Sequence, residues 1–498
     1  MKGKKAFIVV VVVAVVAVIA GFAACAPKAN TTTVGNPTPN VQKADVSPTP
    51  DKFGVVKAAQ WAEAYPYDYA SYLENASNTP PAADYLNTSD DAWRAQGASK
   101  EDTTSALPEG FEYVDCQKMD YLETNPEIKT LGKGYGYAKY YTEPASHVYS
   151  LWSVSHNGRV NDGTKTKAAC ITCKSPQYSN LVDAEGAEVH LRAFNDVIGQ
   201  LDENISCASC HANTPMGDDG KVYLEVDRAE WVRSMGADHE VASLQGQVCG
   251  QCHCDYSMAP ETSIPTSPYD NGRSDMVPDK ALQWYDDHNF VDWTYASTGA
   301  KMLAIRHAEY EFIYGGDDKV LPMGSHMQNL GYDCNDCHMA TTKADDGTVY
   351  SSHNWISPLD NQELIDRDCS SCHKDLAAEV KAWQDDIDGQ TKVLGERCEK
   401  FIKNFESKVA TEQDDPANPG QKALMLDEKT AEKNGVDAKT LERLQWIQRA
   451  ACYYWNLDAA ENSEGAHNPT YYRYVLDKGN ELLDEGDKLL GMSSVANA

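Results

Sequence analysis

Apolar side chains recur at helical spacing along the last quarter of the chain. From Leu376 onward they follow steps of three, four and seven residues, which is typical of a long helix packed against another helix. Two further helical stretches follow at about 438–455 and 469–490, and a separate helix is predicted over 294–313. Asn468 and Pro469 suit the N-cap and the first turn of the last helix. The apolar positions of the first stripe are Val380, Trp383, Ile387, Leu394, Cys398, Phe401 and Phe405.

The N-terminus has a different pattern, an almost unbroken apolar run over residues 7–20 that follows three lysines within the first five residues. It resembles a bacterial lipoprotein signal, in which Cys25 would become the lipidated first residue of the mature chain. Ordinary cleavage and an uncleaved membrane anchor are the alternatives. Each of the three places the body of the protein outside the cytoplasm, behind a flexible tether rich in Thr, Pro and Asn over residues 26–52.

The chain of 498 residues is strongly acidic, with 44 basic and 75 acidic residues and a formal net charge of -31. A nucleic-acid partner is excluded on this ground, because phosphate binding needs a basic surface. An acidic surface also repels small anions, so an enzyme that acts on an anion needs a locally positive pocket. The hydrophobic fraction of 42% is that of a globular protein.

Fifteen cysteines include five Cys-x-x-Cys pairs, and four of these pairs are followed at once by histidine. Cys-x-x-Cys-His is the attachment motif of c-type haem, in which two thiols bind the haem covalently and the histidine binds its iron. Zinc ribbons and redox dithiols are the alternatives, but neither needs a histidine after every pair. The motifs are Cys170–Cys173 with Lys174, Cys207–Cys210 with His211, Cys249–Cys252 with His253, Cys334–Cys337 with His338, and Cys369–Cys372 with His373.

Lysine replaces histidine in the first motif. An amine binds iron only when neutral, so Lys174 as a ligand requires burial that lowers its pKa. The alternative is a degenerate motif with a solvated lysine. Four other histidines, His147, His326, His353 and His467, are candidates for second axial ligands that would close the remaining haems and suit them to electron transfer.

One Cys-x-x-Cys-Lys motif followed by four Cys-x-x-Cys-His motifs resembles the pentahaem ammonia-forming cytochrome c nitrite reductases, over about residues 140–467. The resemblance implies a catalytic arginine a dozen residues after a distal histidine, which is Arg159 after His147. It also implies a catalytic tyrosine three residues after the third proximal histidine, which is Tyr256, and a catalytic histidine in a segment like that beginning at His307. Without the resemblance, these would be a solvated charge, a packed aromatic ring and a core histidine.

By the same resemblance, His353 would serve the second haem, His147 the third, His467 the fourth and His326 the fifth. His156, His190, His239 and His288 match no position of the family and are expected at the surface. Cys116, Cys254, Cys398 and Cys452 belong to no motif, and the sequence does not give their pairing.

The chain departs from the family where many members hold a calcium ion beside the active site. Glu and Gln side chains bind that ion, and the corresponding residues here are Asp255 and Arg306. Arginine offers no lone pair and is permanently charged. We therefore expect no calcium, with Arg306 supplying the positive charge and pairing with Asp255.

The resemblance implies a mainly α fold in which five covalent haems form much of the core, and reduction of nitrite to ammonia. It also implies a homodimer formed through the C-terminal helices and a membrane-bound tetrahaem quinol dehydrogenase as electron donor. The expected division is a signal segment at 1–25, a tether at 26–52, a catalytic domain at 53–375 and a helical dimerisation region at 376–498. Hydroxylamine or sulfite reduction at the same site and a non-enzymatic electron conduit are the rival functions.

Overall fold

The computed structural model of the chain describes residues 39–40, 46–75, 121–139, 141, 146–155, 166–217, 221–304, 306–416 and 418–492. The predicted signal segment, Cys25, Cys116 and Arg159 lie outside the described residues, as does most of the predicted tether. No helix in these described ranges is long and apolar enough to cross a membrane.

Short helices joined by irregular segments form the described chain up to about residue 375. They are α1 (Pro66–Glu74), α2 (Tyr121–Thr124), α3 (Ile128–Leu131), α4 (Ser150–Ser155), α5 (Pro176–Glu185), α6 (Phe194–Ile198), α7 (Ala229–Met235), α8 (Leu244–Gly250), α9 (Pro278–Asp287), α10 (Glu309–Tyr314), α11 (His326–Asn329), α12 (Cys334–His338) and α13 (Gln362–Leu364). Single turns of 3-10 helix lie between them, including those at His147–Tyr149, Ala168–Ile171 and Cys207–Ser209, and a π-helical turn spans Ile365–Cys369.

Strands are short and pair only as two-stranded antiparallel hairpins in the described part of the chain. The hairpins are β1 (Ser257–Met258) with β2 (Pro265–Thr266), β3 (Trp293–Thr294) with β4 (Lys301–Met302), β5 (Thr341–Lys343) with β6 (Val349–Ser351), and β7 (Ala410–Asp414) with β8 (Lys422–Leu426). The prediction of a mainly α fold is therefore confirmed.

Three long helices close the chain, α14 (Leu376–Val409), α16 (Ala438–Ala460) and α17 (Pro469–Leu489), with the short α15 (Glu428–Lys433) before α16. Asp375, Asp437 and Asn468 cap the three long helices by accepting a hydrogen bond from a backbone N–H in the first turn. The prediction of long C-terminal helices, with Asn468 as a cap, is confirmed.

The apolar stripe of α14 is buried within the chain itself from Ile387 to Phe405, whereas Trp383, nearer the start of the helix, is half-buried beside His373. Its members pack with residues of α16 and α17 in the largest hydrophobic core, and Leu394 and Phe405 are fully buried. Gly479 and Gly486 of α17 allow this close packing, because a Cβ atom there would lie 2.8 Å from Leu394 and 2.4 Å from Phe401. The stripe therefore joins the helices of one chain, and a dimer contact would have to use their other faces.

The helix predicted over 294–313 is wrong. The chain instead turns through Gly299, whose φ is +74°, to form the β3–β4 hairpin, and only α10 is helical. A glycine at positive φ ends a helix or makes a turn at no steric cost, and this outweighs the apolar spacing. His307 consequently lies before α10 rather than on a long helix.

A second, smaller core surrounds the first Cys-x-x-Cys motif and contains Ile171, Tyr178 and Phe194. Cys398 and Cys452 lie in the larger core, where the two buried thiols contact each other between α14 and α16. Cys254 is fully buried near the Ser267 hydroxyl, at 3.5 Å. His190, which was expected at the surface, is buried and 3.0 Å from the Tyr178 hydroxyl, so that expectation is wrong.

Candidate functional site

Each motif begins or ends a turn of helix, and this local geometry explains the spacing of its residues. The backbone N–H of His211, His253 and His373 donates to the carbonyl of the first cysteine of the same motif, at 2.8, 2.9 and 2.9 Å. One helical turn places residues four apart on the same side. The first cysteine and the histidine of a motif therefore face the same space.

The motifs are also neighbours in the fold. The thiols of Cys173 and Cys252 contact each other, which joins the first motif to the third. Cys249 and Cys334 contact each other in the same way, which joins the third motif to the fourth. Groups bound at these motifs would therefore stand next to one another.

Three of the four predicted histidine pairs face each other. The ring centres lie 6.3 Å apart for His211 and His353, 6.4 Å for His253 and His147, and 6.2 Å for His338 and His467. One metal ion between two rings, with metal–nitrogen bonds of about 2.0 Å, needs ring centres roughly 6 Å apart. These are the pairs that the family resemblance implies for the second, third and fourth haems.

The fourth predicted pair is not assembled. His326, at the start of α11, is exposed, and its imidazole makes no hydrogen bond, ion pair or ring contact with another described residue. The His373 ring instead lies 6.2 Å from that of Trp383. His326 as the ligand of the fifth haem stays a prediction.

Hydrogen bonds to Nδ1 leave the Nε2 atom of these imidazoles available to a metal. His211, His353 and His338 each place Nδ1 within 3.1 Å of a backbone carbonyl, that of Tyr223, Ser351 or Ile356. A carbonyl only accepts, so Nδ1 carries the proton and Nε2 the lone pair. Carboxylates take this place for His373, whose Nδ1 lies 2.8 Å from Glu379, and for His467, which contacts Glu461.

Burial keeps several of these imidazoles neutral, which is the form that binds metal. Burial, together with the neighbouring imidazoles, lowers the pKa of His147 to about 3 and that of His211 and His338 to about 4. The donor set, its tautomers and its paired spacing fit covalently bound haem with two histidine ligands.

Lys174 has a different setting from the histidines that follow the other motifs. Its backbone is fixed, because its N–H donates to the Ile171 carbonyl at 2.9 Å and its carbonyl accepts from the Ser150 hydroxyl at 2.7 Å. The side chain is half-buried, and its amine forms no hydrogen bond or ion pair with any residue that the structure describes. The amine is therefore not held by another described residue, which leaves it available as a ligand.

Arg306 is buried and packs against Tyr256. Its Nη1 atom donates to the carbonyls of Tyr256 at 3.0 Å and of Ala304 at 2.7 Å, and its Nη2 atom donates to the Tyr135 hydroxyl at 2.9 Å. Its carboxylate partner is Asp292, at 3.2 Å, and not Asp255 as expected from sequence. The Arg306 guanidinium thus places a permanent positive charge beside the Tyr256 ring.

Asp255 faces another way. Its carboxylate is fully buried, its Oδ2 atom accepts from the Tyr453 hydroxyl at 3.4 Å, and burial raises its pKa to about 7, although Arg306 acts in the opposite direction. Burial also raises the pKa of Tyr256 well above its ordinary value, again opposed by Arg306. Tyr256 therefore keeps its phenolic proton.

His307 adopts a positive φ of +29°, a conformation that costs free energy for a residue with a side chain. Its ring centre lies 5.3 Å from that of His253, and its Nδ1 atom lies 3.9 Å from Oε1 of Glu309. His253, His307 and Glu309 form a compact group whose ligand atoms lie within 4.8 Å of one another. The structure thus brings Tyr256, Arg306 and His307 close to the first and third motifs, whereas Arg159 lies outside the described residues.

Sequence reasoning missed Arg228, Asp292 and Glu309. Arg228 is buried, with Nη1 at 3.4 Å from Cys173 Sγ and its guanidinium 5.8 Å from the centre of the Tyr256 ring. It has no carboxylate partner within ion-pair distance in the described part of the chain. Glu309 could have been found, since it stands two residues after His307, but no sequence signal marks Arg228 or Asp292.

Comparison with known proteins agrees with this geometry. A family model described as cytochrome c552 matches residues 57–497. Cytochrome c nitrite reductase subunit NrfA of Nitratidesulfovibrio vulgaris is 25% identical over 434 residues, which is 83% of this chain and 74% of the relative. Cytochrome c-552 of Bacteroides fragilis is 28% identical over 380 residues, 74% of this chain and 69% of the relative.

A solved structure has the same fold. The cytochrome c nitrite reductase of Desulfovibrio desulfuricans, described with two calcium sites, superimposes with a TM-score of 0.64 and 25% identity, over 87% of this chain and 86% of that one. The structural match covers 87% of the chain, and the residues matched by the family model include the five motifs and the paired histidines. The chain belongs to the cytochrome c552 family of multihaem proteins with covalently bound c-type haem.

Proposed function

We propose that this protein reduces nitrite to ammonia. The observation that carries the proposal is the contact of the buried Arg228 with Cys173, in the one motif whose histidine is replaced by Lys174. Arg228 and Arg306 both pack on Tyr256, and His307 lies beside His253 of the adjoining third motif. Relatives named cytochrome c nitrite reductase support it. The acidic surface of the protein repels an anion, and the buried arginines supply the local positive charge that an anionic substrate needs.

The reaction adds six electrons and eight protons to nitrite and releases ammonium and two waters. Bound haem supplies the iron and the electron storage that no side chain can supply. The chain's own residues hold the substrate and deliver protons. Arg159 would bind the anion, and His307 would donate a hydrogen bond to a nitrite oxygen. Tyr256 keeps its proton and would give it to the departing oxygen, as one of the two protons with which that oxygen leaves as water.

Five covalent haems form part of the proposal, one for each Cys-x-x-Cys motif. His211 with His353, His253 with His147, and His338 with His467 would hold three of them, and His373 with His326 the last. Lys174 would be the amine ligand of the first haem, whose other face would be open to substrate. The ring spacings support the first three assignments.

Calcium would be absent, because Arg306 takes its electrostatic role. The contacts of Arg306 with the Tyr256 carbonyl and with Asp292 support this proposal. Asp255 would not serve as its partner, since it faces Tyr453.

The remaining proposals concern assembly and location. The tethered chain would work outside the cytoplasm, attached through a lipidated Cys25 or an uncleaved anchor, and would take electrons from a membrane-bound tetrahaem quinol dehydrogenase. Residues 53–375 would form the catalytic domain. Residues 376–498 would form the dimerisation region, using helix faces other than the buried stripe, such as that of the exposed Val393.

A steady-state assay with reduced viologen tests this function. Nitrite, hydroxylamine and sulfite are compared at equal concentration, and ammonium is measured against viologen oxidised. Six electrons per nitrite, with ammonium as the product, is the expected result. A higher kcat/KM for sulfite than for nitrite would assign the site to the rival substrate, and no turnover at all would favour an electron conduit.

A further inference from the structure

The carboxylate of Glu309 lies between two imidazoles. Its Oε2 atom is 3.5 Å from Nδ1 of His253, and its Oε1 atom is 3.9 Å from Nδ1 of His307. The side chain is buried, and no lysine or arginine forms an ion pair with it in the described part of the chain. The two imidazoles are therefore the groups that face its negative charge.

Other contacts fix the carboxylate in this place. The Asn462 side-chain amide donates to Oε1, while Glu309 itself begins α10. The backbone N–H of Tyr310 donates to the carbonyl of His253 at 3.0 Å, so the start of α10 is joined directly to the third motif. A displacement of Glu309 would therefore change its distances to both histidines at once.

This arrangement differs from that of the other proposed haem ligands. Glu379 contacts His373, Glu461 contacts His467, and backbone carbonyls serve His211, His338 and His353, each as an acceptor for one imidazole. The two carboxylate oxygens of Glu309 instead lie within 4 Å of two different imidazoles, those of His253 and His307. Hydrogen bonds between catalytic groups are often long in the ligand-free protein and shorten in the substrate complex.

We propose that Glu309 is a positioning residue shared by two functions: it orients His307 toward the substrate and holds Nδ1 of His253, the proximal ligand of the third haem. The role at His307 rests on the proposed function. A carboxylate on Nδ1 makes an imidazole a stronger donor to its metal and fixes the ring orientation. One side chain would thus set both the ligand strength at an electron-transfer haem and the geometry of His307, the proposed hydrogen-bond donor to nitrite.

The test is Glu309→Gln, which keeps the size of the side chain and removes its charge. We expect kcat/KM for nitrite to fall roughly 10–100-fold. We also expect the reduction potential of one low-spin haem to rise in a spectroelectrochemical titration without substrate, because its histidine becomes a weaker donor. Glu379→Gln is the matched control. It should raise the potential of a different haem and lower kcat/KM less, because Glu379 does not contact His307.

Two results would overturn the shared role: a loss of turnover with all potentials unchanged, or a shifted potential with wild-type kcat/KM. If Glu309→Gln does not fold, Asn462→Ala releases Oε1 alone and should lower kcat/KM for nitrite with little change in potential. A wild-type protein that does not reduce nitrite would overturn the proposed function. The potential measurement, which needs no substrate, would still decide whether Glu309 acts on His253.

Discussion

Arg306 donates a hydrogen bond of 3.0 Å to the backbone carbonyl of Tyr256, while its guanidinium stands 5.2 Å from the centre of the same residue's ring. The cation therefore holds both the main chain and the aromatic face of the proposed proton donor. Asp292 compensates its charge through an ion pair of 3.2 Å. This relationship leads to the first prediction, on calcium.

Removing calcium should leave nitrite turnover unchanged, and adding it should have no effect. Arg306→Gln should lose roughly 10²–10³ in kcat, which is typical when a charge-stabilising group is removed from an active site. The measurement is turnover with and without a calcium chelator. A wild-type enzyme that loses activity in chelator and regains it with calcium would refute the replacement of the ion by Arg306.

Arg306→Gln also leaves Asp292 buried without its partner, which costs about 3–5 kcal/mol of folding free energy in comparable cases. The double variant Arg306→Gln, Asp292→Asn separates the two effects. It should regain much of the stability in a denaturant titration without regaining turnover. Recovery of turnover would mean that the single variant fails only because it is unstable.

Lys174→His should keep the first haem attached and lower nitrite turnover, because histidine changes both the strength and the length of the ligand. Haem attachment depends on Cys170 and Cys173, which are unchanged. The readouts are haem content and the high-spin signal of the oxidised protein. Lys167→His, seven residues earlier, is the matched control, and its wild-type ammonium contacts Ser263 instead, at 2.8 Å. Equal turnover of the Lys174 variant and wild type would exclude lysine as the ligand.

Arg228→Gln should raise KM for nitrite by roughly tenfold, because a unit charge removed within about 10 Å of the anion is worth about 1.5 kcal/mol at an effective dielectric constant of about 20. Arg233→Gln on α7 removes the same charge but breaks ion pairs with Glu230 and Asp270. It should leave KM near the wild-type value. Similar effects of both substitutions on KM would indicate that only the overall charge of the protein matters and that Arg228 has no local role.

Mass spectrometry of the mature protein should show five covalent haems, one for each Cys-x-x-Cys motif. The variant Cys170→Ala, Cys173→Ala should carry four and should lose nitrite turnover. A wild-type count of four, with Cys170 and Cys173 unmodified, would remove the proposed catalytic site.

Glu311 predicts a pH dependence of stability. It is buried, and burial first and Asp255 second raise the pKa of its carboxyl to about 8, while the Tyr269 hydroxyl donates to it at 2.6 Å. Because the folded pKa is raised, this contribution to stability is complete below the unfolded pKa of about 4.5 and is lost as the pH rises through about 8. Glu311→Gln should therefore flatten the decline of Tm between about pH 5 and 9. Parallel curves for variant and wild type would contradict the assignment.

Patterns that recur in sequence predicted much of the fold. The stripe of α14 and the cap of α17 were readable because a helix repeats its environment every turn, and the motifs were readable because their spacing is local. The β3–β4 hairpin and the placement of His307 could not be read in this way. They depend on a turn at Gly299 whose conformation the apolar spacing does not reveal.

The partners of Arg306 and the position of Arg228 could not be predicted from the sequence, because they depend on contacts between distant segments. Asp292 meets Arg306, and Arg228 meets Cys173 and Tyr256, only after the chain has folded. Each is an ordinary charged residue in its own segment. Asp255 was chosen as the partner of Arg306 because it precedes Tyr256, but its carboxylate is directed toward Tyr453.

The facing histidines also bear on how the protein can be assembled. In each of the three pairs, the two imidazoles are more than a hundred residues apart in sequence, and His467 lies just before the last long helix, α17. In the proposed export, which begins at the N-terminus, a proximal histidine would emerge long before or long after its partner. Each proposed haem site would therefore gain its second ligand only when a remote part of the chain is present. Completion of these haem sites would then depend on folding of most of the polypeptide, because the three pairs together span residues 147–467.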